Sequence, residues 1–138
     1  MKFSISVVYL WAEVTGYVLG VLEELSRQIT GTIDVVHWDD RTINSTQFKI
    51  GRNENVQFHG RTRTSDAAIY DLLIDRNPSI IVVSGWQDKG YILACKRFKR
   101  AKPSVKVVAG IDDQWTGSLR QRIGQVYYAT FYRPLFDF

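Results

Sequence analysis

Two adjacent carboxylates, an amide and an indole close the run VKVVAGIDDQW, at Asp112, Asp113, Gln114 and Trp115. A general base must reach the proton it removes, and a neighbouring negative charge raises its affinity for that proton, so an Asp-Asp pair can serve as a base and its support. The competing reading has one aspartate capping the next helix and the other solvated. Upstream, Trp86 and Asp88 in SGWQDKGY form a second cluster. An aromatic face stacks on a sugar ring or a base while a carboxylate holds hydroxyls; equally, the pair could be a core-edge tryptophan and a helix cap. A third group is the loop Ala12 to Tyr17, where Glu13 could accept from a sugar hydroxyl and Thr15-Gly16 opens a helix whose free amides favour an anion. Ordinary capping is the alternative there. His37 and His59 lack a companion cluster at ligand spacing, so no metal is expected.

Five apolar runs position these groups. Phe3 to Leu10, Thr32 to Trp38, Val56 to His59, Ser79 to Ser84 and Val105 to Ile111 are rich in β-branched residues and read as strands of a sheet covered on both faces. Between them lie helical patterns. Thr15 caps a helix over about residues 16–29, with Val18, Leu22, Leu25 and Ile29 on one face. Ser65 or Asp66 caps another with Ile69, Leu72 and Leu73 inward, ended by Asn77-Pro78. A third spans Lys89 to Lys102 with Ile92, Cys95 and Phe98 inward, and a fourth spans Ser118 to Tyr132 with Leu119, Ile123, Val126 and Tyr127 as its apolar face. The polar stretch Thr42 to Asn55 reads as a connection. Strands alternating with helices predict an α/β fold, a Rossmann-like doubly wound parallel sheet of about five strands with helices on both faces. Ligands bind such sheets beyond the carboxyl ends of the strands, which is where all three polar groups fall.

With 138 residues and one cysteine, the chain is sized for a single domain and can form no internal disulfide, in keeping with a cytoplasmic setting. No segment has the apolar length of a spanning helix, and the N-terminal MKFSISVVYLW is a first strand rather than a signal peptide. The net charge of +4 is unevenly placed: residues 1–88 carry 8 basic and 11 acidic groups, residues 89–138 carry 10 and 3. Much of that excess lies at Lys96, Arg97, Lys99, Arg100 and Lys102. This is a solvated helix face or a surface for anionic lipid headgroups at the inner face of a membrane; without interleaved aromatics it points to no specific nucleic acid. The end of the chain is apolar, at Phe131, Leu135, Phe136 and Phe138, which leads us to expect further protein or a partner there.

The segments SIIVVSGWQDKGY (Ser79 to Tyr91) and VKVVAGIDDQWTGSLRQ (Val105 to Gln121), followed by the tail YYATFYRPLFDF, resemble the N-terminal domain of GT-B glycosyltransferases, in the retaining branch called family 4 or group 1. The resemblance implies that residues 1–138 are the acceptor half of a two-domain enzyme, with a C-terminal donor domain as its partner. It implies transfer of a sugar from a nucleotide-sugar, used as substrate without a cofactor, to a hydroxyl of a glycan or lipid-linked glycan, and no activity for this half alone. Carried over by position, Thr15-Gly16 matches the loop near the donor phosphates. Asp112 or Asp113 matches the polar group near the acceptor hydroxyl, and Glu13, Trp86, Asp88, Gln114 and Trp115 fall on the acceptor side. Some members of that family dock on membranes through basic surfaces of this domain, which would give Lys96 to Lys102 a purpose. The alternative is a non-enzymatic flavodoxin-like module for ligand binding or signalling.

Overall fold

The computed structural model describes residues 2–39, 54–110 and 116–137. In chain order the elements are β1 (Val7–Trp11), α1 (Gly16–Gln28), β2 (Ile33–His37), β3 (Val56–Gly60), a single turn of 3-10 helix (Arg61–Arg63), α2 (Asp66–Arg76), β4 (Ile80–Val83), α3 (Lys89–Ala101), β5 (Lys106–Ala109) and α4 (Leu119–Phe131). The five strands form one parallel sheet in the order β3-β2-β1-β4-β5. The α/β, Rossmann-like architecture is therefore as expected. The order matches the first five positions of the 3-2-1-4-5-6 dinucleotide-binding sheet rather than the 2-1-3-4-5 of flavodoxin-like sheets.

The apolar runs are continuous because alternate residues go to opposite faces and both faces are packed. Val8 and Leu10 of β1, Val36 of β2, and Ile81 and Val83 of β4 meet Ile69 and Leu73 of α2 and Tyr91, Cys95 and Phe98 of α3. On the other face Val7, Ile33 and Val35 meet Val18 and Leu22 of α1. The helices begin where the sequence provides caps: Thr15, Ser65, Asp88 and Ser118 each accept from the backbone amide three residues on. Asn77 closes α2 in the left-handed conformation (φ 43°), and Pro78 follows. Gly31 is forced by close approach: an added Cβ would lie 1.8 Å from the Ile5 carbonyl oxygen.

One expectation is corrected. The apolar face predicted for α4 points away from the core: Leu119, Ile123, Val126 and Tyr127 are all exposed, and no α4 residue is buried. The helix instead docks through Tyr128 and the following Tyr132, which pack on Trp86 with ring centroids 5.5 and 6.2 Å away, while Tyr128 stacks on Phe136 at 5.5 Å. The sequence carries apolar residues on two sides of this helix, and periodicity does not say which side meets the core. The apolar tail is also partly absorbed by this chain. Leu135 and Phe136 are buried, and the Asp137 amide donates to the Val107 carbonyl at 2.8 Å, laying the segment along β5.

Candidate functional site

Strand order reverses between β1 and β4. From β1 the chain crosses through α1 to β2 on one side, and from β4 through α3 to β5 on the other, so their exit loops diverge and leave a crevice at the carboxyl edge. Glu13, Thr15 and Gly16 line the β1 side and are exposed. Thr15 Oγ1 caps α1 through a long contact to the Val18 amide, 3.4 Å. On the β4 side Gly85 turns the chain with φ 78°, a conformation that favours glycine, and the Ser84 amide donates to the Leu10 carbonyl at 3.0 Å. Farther along, the Trp11 indole lies against Gly110 at the end of β5, where an added Cβ would meet the ring at 2.4 Å. Gly110 leads into residues 111–115, so Asp112, Asp113, Gln114 and Trp115 lie outside the described residues.

Behind the crevice is a hydrogen-bonded strut that sequence reasoning missed. Asp88 Oδ2 accepts from the Trp38 indole N–H and from Arg61 Nε, both at 3.0 Å. Its Oδ1 accepts from the Tyr91 amide at 3.1 Å and from Arg61 Nη2 at 3.3 Å. A carboxylate has about four acceptor positions, and all four are used. The Asp88 side chain is only 12% exposed. Asp88 is thus a cap and ion-pair partner joining the exits of β2, β3 and β4; no acceptor position remains for a sugar hydroxyl. Burial alone would raise its pKa, but the donors from Arg61, Trp38 and Tyr91 outweigh it and hold the carboxyl below its ordinary value. Arg61 is held charged by Asp88 and Asp66. Its guanidinium also lies 5.4 Å from the Tyr91 ring centroid, and the Tyr91 hydroxyl donates toward the Trp11 and Val36 carbonyls at 3.0 and 3.3 Å. Burial raises the Tyr91 pKa, so this donor persists at neutral pH. The only sequence signal for Arg61 was its place at the exit of β3; its partners are 27 and 5 residues away.

Trp86, the other half of that cluster, stacks on Tyr132 and tilts on Tyr128, so it secures α4 with the surface proposed for sugar stacking. The basic face of α3 is likewise engaged within the chain. Lys99 Nζ donates to Asp137 at 2.7 Å and to the Leu135 carbonyl at 2.8 Å. Lys102 closes the end of α2 through the Asn77 and Pro78 carbonyls. Lys96 and Arg97 lie over the rings of Tyr132 and Tyr70, at 5.3 and 4.1 Å. Four of the five cations expected to face lipid therefore make specific contacts inside the fold; Arg100 is exposed.

His59 belongs to a separate cluster. Its Nε2 is 2.8 Å from Oδ1 of Asp34, a carboxylate with no exposure in the middle of the domain, and Arg76 Nε is 3.0 Å from Oδ2. This arrangement joins β2, β3 and α2. Among the described residues no group of three or more His, Cys, Asp or Glu side chains is placed to hold a metal ion, and no helix is long and apolar enough to cross a membrane. Cys95 is buried in α3, and burial pushes its thiol up to about 12, which makes it a core residue rather than a nucleophile. Comparison with family models, curated proteins and solved structures returns no match to this chain.

Proposed function

We propose that this chain is the acceptor-side domain of a two-domain glycosyltransferase of the GT-B type, moving a sugar from a nucleotide-sugar to a hydroxyl of a glycan or lipid-linked glycan. The observation that supports the reading best is the reversal of strand order between β1 and β4. It opens a crevice between the exposed loop bearing Glu13, Thr15 and Gly16 and the loop at Gly85, and β5 ends at the same edge, at Ala109 and Gly110. On this reading Glu13 accepts from acceptor hydroxyls, Asp112 or Asp113 acts as base or charge stabiliser, and Trp115 and Gln114 complete the acceptor wall. Asp88 ties together the exits of β2, β3 and β4, and Trp86 secures α4. The donor domain supplies most of the nucleotide-sugar contacts, so residues 1–138 alone bind acceptor and transfer nothing.

The test is an amide NMR titration of residues 1–138 with short oligosaccharides and, separately, with a nucleoside diphosphate. Oligosaccharide shifts confined to residues 12–17, 84–87 and 110–118, weakened by Glu13→Gln, are expected. Shifts elsewhere, or sugar transfer by this chain without a second domain, would sink the proposal. In an enzyme joined to its donor domain, full activity of both Asp112→Asn and Asp113→Asn would remove the catalytic role while leaving the fold assignment intact.

A further inference from the structure

α4 turns five large apolar side chains outward: Leu119, Ile123, Val126, Tyr127 and Phe131 are 74, 62, 68, 48 and 58% exposed. Together they present roughly 600 Å² of accessible surface, at the top of the range for the largest apolar patch of a monomer. Leaving such a stripe in water is unfavourable, and the inner side of the helix is already occupied by Trp86 and Phe136.

We propose that this face is where two copies of the chain pair, their α4 helices antiparallel about a two-fold axis passing between Ile123 and Tyr127. Three observations carry it. The first is area: the stripe alone supplies about three quarters of the ~800 Å² that each partner contributes to a standard interface. The second is the arrangement of the residues. Leu119, Ile123, Tyr127 and Phe131 recur every four residues and form one ridge, symmetric about position 125. An antiparallel copy sets Leu119 against Phe131 and Ile123 against Tyr127, large against large in every pair, with Val126 beside the axis. A two-fold interface requires such a self-complementary patch. The third is charge. Arg120 and Arg122 sit in the first turn, and there is no acidic residue from Thr116 to Phe136. A parallel pair would bring the arginines of both copies together. An antiparallel pair keeps the two sets apart at opposite ends of the seam, each toward the negative end of the partner's helix dipole.

The inference is independent of the glycosyltransferase reading. It is tested on residues 1–138 by sedimentation velocity across a concentration series. A dimer is expected, with Ile123→Glu and Val126→Glu each weakening it about a hundredfold or more. Both sites are exposed, so both variants should keep the parent's circular dichroism and thermal midpoint. Orientation is tested by mixing Leu119→Cys with Phe131→Cys under oxidation. Cross-linked heterodimer is expected, because Cys95 is buried, and neither variant should cross-link efficiently with itself. The proposal is overturned by a parent chain that stays monomeric at several hundred micromolar, by a dimer that both Glu variants leave intact, or by self-linking of Leu119→Cys. A monomer that sediments with phosphatidylglycerol vesicles would likewise overturn it and assign the face to lipid.

Discussion

Asp34 is the buried charge on which the edge of the sheet depends, and Asp34→Asn isolates its contribution while preserving shape. The carboxylate has no exposure, with His59 Nε2 at 2.8 Å on one oxygen and Arg76 Nε at 3.0 Å on the other. Contacts to charged groups contribute about 1.5–3 kcal/mol each, and removing one member of a fully buried pair costs about 3–5 kcal/mol. Two features lower the figure here. His59 and Arg76 are 29 and 30% exposed, so water reaches both once the carboxylate is gone, and Arg76 retains Gln57 at 2.9 Å and Asp75 at 3.3 Å. The Arg76 Nε contact is also a close ion pair rather than an aligned hydrogen bond. The expected loss is therefore about 3 kcal/mol, or about 10 °C in thermal midpoint for a chain of this length. Urea unfolding followed by circular dichroism and tryptophan fluorescence measures it, and Arg76→Gln with the double variant completes a cycle. The double variant should lose at least about 1 kcal/mol less than the sum of the single losses. A loss below about 1 kcal/mol for Asp34→Asn, or strict additivity in the cycle, would refute the argument that these charges stabilise one another.

Two further predictions concern the backbone and the strut. Gly31→Ala must displace the Ile5 backbone and should cost more than about 2 kcal/mol, whereas Gly20→Ala meets nothing within 4 Å in the interior of α1 and should stabilise by about 0.5–1 kcal/mol; chemical denaturation of both distinguishes close approach from mere composition. For Asp88 the folded pKa lies below the unfolded one, so its carboxylate contributes stability that is present above the ordinary carboxylate range and lost as pH falls through the folded value. Urea midpoints at about pH 6 and about pH 3 should therefore converge more closely in Asp88→Asn than in the parent chain, and an unchanged difference would exclude Asp88 as a source of acid sensitivity.

Much of this molecule was determined by short-range signals. The β-branched runs, the caps at Thr15 and Ser65 and the Asn77-Pro78 stop act over a few residues, and they specify which segments are strands and helices and hence the parallel α/β class. Whether Asp88 binds a ligand or caps α3 is a different kind of question. Locally both readings of SGWQDKGY stand; the choice came from Arg61 and Trp38, 27 and 50 residues away, which fill the carboxylate's remaining acceptor positions. The same holds for Asp34, an acidic residue inside a strand whose burial makes sense only with His59 and Arg76 beside it. Lys99 and Lys102 look like solvated cations in sequence because their partners, Asp137 and the end of α2, are brought to them by packing. For α4 the local pattern misleads, since apolar residues lie on two faces and only the aromatic contacts with Trp86 and Phe136 decide which turns inward. Local pattern therefore determined where the carboxyl edge lies, and tertiary structure decided which of its side chains hold the edge together and which remain open to a ligand, because hydrogen-bonding capacity is consumed by neighbours that sequence distance does not reveal.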